Sequence, residues 1–524
     1  MSTMWILIIG LLILIFIAIF VFRSKPAQPS SFSTQSLSST STRPIIMLVI
    51  DSLMDTPLRE AIQTGQAPAM KYLMEHGHYY PKVVTSFPNM SVCIDSTLLT
   101  GTPPNQHQIF GLTYFHPQQN RIVNFGTGLK ESMIFGIKNV LKDSVQLLNQ
   151  QFLSKDVKTI HEEFVGTTAS INAIIYRGKQ QTFLRSPWLA VLFGIMPRRI
   201  KTMAPSIFSF GALSKINPAS RHDQAIFRYG INDKFSRMEL VYLIKQNLLP
   251  SFTIAYMPSN DDPVHKKGAS EIKGIIKVDQ EIQAILHAFP SWKEAIQQAT
   301  FIILGDSGQA TMIPNRKQAY IDLKKILSKY RIMPTKQKRP KPHDQLILCV
   351  NERMAYIYLM DEQLPISEIV QTLKQEQRLD IIAWKENEQI HVVSGVIEGE
   401  VRYHSNGEFS DEYGQTWQLV GDISILDLTV TEEKQIQYNN FPDILFRLEN
   451  VMGTADRVIV ITCSPGYEIV GEGSPTHKGG SHGSLHQLES LVPMIVCGTD
   501  TQPEYLRLIN LKKWILQLMT PSSP

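Results

Sequence analysis

Residues 43–51 read Arg-Pro-Ile-Ile-Met-Leu-Val-Ile-Asp. Ile45–Ile50 is uninterrupted apolar sequence of strand length. A strand without a polar face must be covered on both sides, as in a parallel sheet flanked by helices. Asp51 ends the run, so the strand delivers a carboxylate to its C-terminal end. Open α/β sheets bind their ligands at that edge. The rest of the chain is then constrained by which other residues reach the same edge.

Downstream, strand-like and helix-like stretches alternate. Residues 57–77 have helical spacing, broken near Gly65. Residues 82–85 form a short strand leading to Ser86. Pro88 sits near a helix start, where its missing N–H costs nothing, and residues 89–99 continue as a helix. Strand patterns recur at 167–176, 252–256, 301–304, 346–350, 354–360, 457–463 and 491–497, with helical patterns between them. The expected fold class is α/β, with a mostly parallel central sheet flanked by helices. It occupies residues 43–520, with inserted cap segments at about 131–249 and 336–456. A chain of 524 residues, 43% hydrophobic, has ample core for this.

Before the domain, residues 4–22 are 19 uncharged, apolar residues. At about 1.5 Å rise per residue they span a bilayer core, and they read as an N-terminal transmembrane anchor. A cleaved signal is the alternative. Residues 23–42, rich in Ser, Thr and Pro, read as a flexible linker. Arg23 and Lys25 favour a cytoplasmic side for the domain beyond them. The net charge of +4 is spread along the chain, and no nucleic-acid-binding patch is evident. The basic run 336–341 reads as a solvated linker. Cys93, Cys349, Cys463 and Cys497 form no CxxC pair and read as buried thiols. The apolar run 188–196 is too short to span a bilayer; it is either cap core or a membrane-contacting patch.

Carboxylates and histidines recur just beyond apolar strands: Asp51, Asp261 with His265, Asp306, and His482. Singly each has a plain reading, as a cap, a turn or a surface pair. Together with hydroxyls at a helix start they form a set suited to zinc, or to manganese if rich in oxygen. Paired metals would clamp the attacking and leaving oxygens of a phosphoryl transfer.

The stretches IIMLVID, SFPN followed by LLTGTPPNQHQI, DDPVH followed by KKG, IILGDSG and SHG occur in that order. They resemble the alkaline phosphatase superfamily, in particular its nucleotide pyrophosphatase/phosphodiesterase (type I phosphodiesterase) branch. The resemblance implies a phosphodiesterase-like hydrolase of phosphodiester, pyrophosphate or phosphomonoester bonds, acting on a phosphate-ester substrate through a covalent phosphoserine. It implies two divalent metal ions, Zn2+ by preference. Asp51, Ser86 and Asp306 would hold one; Asp261, His265 and His482 the other. Ser86 would be the catalytic nucleophile, with Thr85 and Ser91 as rival hydroxyls, and Asn89 would bind a phosphate oxygen. Anchored members of this family face outward, so a single-pass protein of the cell membrane with an extracytoplasmic catalytic domain is expected. One departure stands out: Ser307 follows Asp306 where the family has His. The Asp51 site is then oxygen-rich, suiting Mn2+ or Mg2+, unless His477 or His486 substitutes. Two further readings stay open: a phosphotransferase acting on lipid or cell-wall headgroups, and a catalytically weak scaffold retaining the fold.

Overall fold

The computed structural model describes residues 43–520. Seven strands form the central sheet: β1 (Ile45–Ile50), β2 (His78–Val84), β3 (Thr168–Ile171), β4 (Ile207–Ser209), β5 (Phe252–Met257), β6 (Thr300–Gly305) and β7 (Leu491–Cys497). Their spatial order is β2-β7-β6-β1-β5-β3-β4. β1 lies between β6 and β5, parallel to both, with Ile50 in register with Gly305 and Met257. β3 is parallel to β5 and β4. Only β7 runs against the others, pairing antiparallel with β6 and β2. The mostly parallel α/β sheet expected from the sequence is therefore present.

All six residues of β1 are buried. Ile45, Met47 and Val49 enter one apolar cluster, and Ile46, Leu48 and Ile50 another. This is the period of two that a doubly covered strand imposes.

The stretch 131–249 is only in part an insertion, because it supplies β3 and β4 to the central sheet. Most of 336–456 folds into a second, nine-stranded sheet. In it the hairpin Leu346–Asn351/Met354–Leu359 pairs with Val458–Thr462. Ile347, Met354 and Tyr356 share a core with Met47, so this sheet packs over one face of β1. The hairpin turn, Glu352-Arg353, thereby comes back to the central sheet. Arg353 and Glu489, both fully buried, form an ion pair that ties the turn to the segment before β7.

All four cysteines are buried and unbridged. No helix among the described residues is long and apolar enough to cross a membrane. The expected anchor at 4–22 and linker at 23–42 lie outside the described residues.

Candidate active site

Parallel neighbours bring their C-terminal ends together. Asp51 is one residue past β1, and Asp306 is one past β6. Asp261 begins helix α2 (Asp261–Lys267), just beyond β5. The sequence suggests a loop around Asp261 and His265. They instead lie one helical turn apart, on the same face. The acidic first turn, Asp261-Asp262, favours a helix start there. His482 arrives on the segment before the antiparallel β7, whose N-terminal end lies at this edge.

Asp261, His265 and His482 place one ligand atom each within 4.8 Å of one another. His265 Nδ1 is 2.9 Å from the Gly480 carbonyl and His482 Nδ1 is 2.7 Å from the Asn89 carbonyl. A carbonyl only accepts, so both rings donate through Nδ1 and turn Nε2 toward the site, where His265 Nε2 lies 3.1 Å from Asp261 Oδ1. The Nδ1 contact is how metal-binding imidazoles are oriented. Asp261 Oδ1 accepts from Ser52 Oγ at 2.8 Å and Gln309 Nε2 at 2.7 Å. Its Oδ2 has no protein donor among the described residues. Two imidazole nitrogens and one free carboxylate oxygen fit a zinc-type ion with an open position.

The charges adjust to this packing. Burial pulls the His265 imidazole down, but Asp261 and Glu352 outweigh it and push it up to about 10. Burial pushes Asp261 up, and His265 and His482 pull it below the ordinary carboxylate range.

The other half of the expected pair differs. Asp306 Oδ1 accepts the N–H groups of Ser52 at 2.9 Å and Ser307 at 2.6 Å. Its Oδ2 accepts the hydroxyls of Tyr256 and Ser91, each at 3.1 Å. A carboxylate offers about four lone-pair positions, and all are taken. The Tyr256 hydroxyl also lies 2.7 Å from Asp51 Oδ2. The phenol has one proton for two carboxylates, so a proton on Asp51 completes both contacts. Burial, reinforced by Asp306 and Asp261, accordingly raises the Asp51 carboxyl well above its usual range. At the expected second site on Asp51, Ser86 and Asp306, both oxygens of Asp306 are engaged by protein donors. Ser307 brings no nitrogen, and its hydroxyl is buried without a partner among the described residues.

The hydroxyls are also rearranged. Ser86, the expected nucleophile, is 7% exposed and directs Oγ toward Cys93 Sγ at 3.8 Å. Its carbonyl accepts from Arg447 at 3.3 Å. Thr85 donates to the Asp306 carbonyl at 2.6 Å. Ser91 is the rival that reaches a site carboxylate. Helix α1 (Ser91–Thr100) starts two residues later than the sequence suggests, which puts Ser91 at its first position. Asn89 is fully buried, and neither of its amide atoms has a partner among the described residues.

Neither spare histidine completes the Asp51 site. His477 stacks on His265 with ring centroids 4.0 Å apart, and its Nδ1 lies 2.5 Å from Glu468. His486 caps a short helix, and burial lowers it to about 4.

Two residues escaped sequence reading. Tyr256 lies inside an apolar strand and reads as core. Glu352 sits at a hairpin turn, normally solvated, yet here it is 6% exposed and beside His265 and His477. Its only local signal is an acidic residue between two apolar strands.

Solved structures with this fold include murine ectonucleotide pyrophosphatase/phosphodiesterase 5, at 13% identity and TM-score 0.55, covering 91% of this chain and 95% of that one. An inactive form of the murine protein was solved in complex with AMP. Phosphonoacetate hydrolase from Sinorhizobium meliloti, in complex with phosphonoformate, is similar at 15% identity and TM-score 0.52, covering 91% and 96%. At these identities the likeness speaks for the fold alone. No curated protein sequence matches the chain. The family model for type I phosphodiesterase/nucleotide pyrophosphatase, however, matches residues 45–485, a span that takes in Asp51, Asp261, His265, Asp306 and His482. The chain therefore belongs to that family of hydrolases.

Proposed function

We propose that this hydrolase cleaves phosphodiester, pyrophosphate or phosphomonoester bonds with one divalent ion, of zinc type, on Asp261, His265 and His482. The observation that carries the reading is the pair of histidines locked through Nδ1 and gathered with Asp261, His265 Nε2 lying 3.1 Å from Asp261 Oδ1. When bound, such an ion supplies Lewis-acid stabilisation of charge on phosphate oxygens.

The chain's own residues supply the remainder. Ser91 Oγ attacks phosphorus and passes its proton to Asp306 Oδ2, its hydrogen-bond partner. The bond from phosphorus to the leaving oxygen breaks, and that oxygen leaves with a proton from solvent. Water then attacks phosphorus, the bond to Ser91 Oγ breaks, Ser91 recovers its proton from Asp306, and the proton of the water goes to solvent. The unpaired Asn89 amide and the N-terminal N–H groups of α1 suit the non-bridging oxygens. Tyr256 holds Asp51 and Asp306 in place.

Ion removal tests this reading. Dialysis against a chelator should abolish turnover of an aryl phosphodiester, and Zn2+, Mn2+ or Mg2+ added back in turn identifies the ion. Full activity in the chelated protein contradicts it. The family membership supports a nucleotide or other phosphate-ester substrate.

Residues 4–22 serve as the membrane anchor in this proposal, with the catalytic domain on the outer side of the cell membrane. Protease added to intact cells should remove the domain; protection places it inside.

A further inference from the structure

The geometry points to Glu352 as a fourth ligand of the ion held by Asp261, His265 and His482, so this inference rests on that site. Glu352 comes from the second sheet, at the turn between Leu346–Asn351 and Met354–Leu359. Its backbone has φ +57°, a region where hairpins favour glycine and a side chain is held at a cost. One carboxylate oxygen is anchored: Oε2 accepts from Ser481 Oγ at 3.0 Å and from the His482 N–H at 3.3 Å. The other, Oε1, has no protein donor among the described residues and lies 3.9 Å from His482 Nε2. Ligands of a tetrahedral ion with bonds of about 2 Å lie roughly 3.3 Å apart. Oε1 therefore needs only a small approach to share an ion with His482. His265, the ligand common to both histidine clusters, offers only Nε2, because Nδ1 is committed to Gly480. It cannot serve two separate ions, and the two clusters describe one ion with an additional carboxylate. His477, stacked on His265 and bound to Glu468, acts as a positioning residue for that ring.

Glu352→Gln tests the assignment. Its amide carbonyl can keep the Ser481 and His482 contacts, while an NH2 without a lone pair replaces Oε1. Zinc affinity of the full chain, measured by competition with a chromophoric chelator, should fall about 10–100-fold. Unfolding of the chelated variant at the wild-type temperature shows that the fold is intact. If that temperature falls, Glu352→Asp, which withdraws the carboxylate, is read in the same assay. Unchanged zinc affinity in the well-folded variant overturns the assignment. Asp261→Asn separates the two failures. If it loses zinc while Glu352→Gln does not, only the fourth ligand is wrong; if it also binds as wild type, the whole site is wrong.

An independent surface lies on the hairpin of Gln180–Arg185 and Arg199–Ala204, whose tip carries the short helix Trp188–Leu192. Trp188, Leu192 and Phe193 are exposed at 43%, 68% and 72%. Residues 178–204 contain five Lys or Arg and no Asp or Glu. Arg185 and Arg199 sit directly opposite in register, a like-charge pairing that costs stability. We infer that this tip docks on an anionic lipid surface, with the aromatic and aliphatic side chains in the interface and the basic flank against headgroups. The apolar stretch at 4–22, which ends 22 residues before β1, would keep the domain near a bilayer as the proposed anchor.

The four native cysteines are buried, so Leu192→Cys offers one accessible labelling site. An environment-sensitive dye there should shift to the blue when the full chain is reconstituted in vesicles of phosphatidylcholine with phosphatidylglycerol. The shift should be absent in phosphatidylcholine alone, and lost when Arg198 and Arg199 are changed to Gln. No shift in anionic vesicles overturns the inference. So does a lipid-independent shift that grows with protein concentration, which would assign the face to a second copy of the chain.

Discussion

Ser91→Ala should lower turnover of an aryl phosphodiester by about 10³-fold or more, while Ser86→Ala leaves most of it. The two serines are five positions apart and compete for one role. Ser86 carries the family motif, Ser-Phe-Pro-Asn, but its hydroxyl turns toward Cys93 under the Arg447 side chain. Ser91 opens α1 and hydrogen-bonds a carboxylate that can take its proton. Removing the Ser86 hydroxyl deletes only a weak contact to sulfur. Removing that of Ser91 deletes the nucleophile and one of the four donors on Asp306. The reverse pattern, with Ser86→Ala inactive and Ser91→Ala active, would return the nucleophile to the motif position. Circular dichroism of both variants excludes loss of fold as the cause.

Asp261→Asn should abolish ion binding and with it activity, again by about 10³-fold or more. Asn can keep Ser52 and Gln309 satisfied through its carbonyl, so the apo fold is spared. An NH2 then stands where the free carboxylate oxygen stood. In wild-type protein, ion at 100 times its Kd should stabilise the fold by about 2.7 kcal/mol. The variant should show no ion-dependent rise in Tm at the same concentration. A rise equal to wild type would mean that the ion binds elsewhere.

The strand-end acids were legible because periodicity announces them. A run such as Ile45–Ile50 can only be a central strand, and its successor can only sit at the sheet edge. The same reasoning places Asp306 after β6 and Asp261 after β5. It fails where a role depends on one helical turn or on contact between distant segments. Ser86 and Ser91 differ only in where α1 begins, and helix starts are poorly specified by residues that are all compatible with either choice. Glu352 reaches the histidines because the second sheet packs over β1, and nothing in residues 346–359 encodes that packing partner. Tyr256 reads as core because a tyrosine in an apolar strand is core by pattern. Its hydroxyl meets the strand-end acids only because Asp51 follows the neighbouring strand β1 and Asp306 follows β6, one strand further on. The missing histidine at Ser307 was visible at once. Its consequence was not, since that depends on the donors already gathered on Asp306.

The most direct test is to trap the covalent intermediate. The full chain, loaded with its ion and mixed with an aryl phosphodiester, is quenched in acid during turnover and its peptides are mapped by mass. The expected product is the substrate's phosphoryl adduct on Ser91; an adduct on Ser86, or turnover with no adduct on any serine, contradicts Ser91 as the nucleophile.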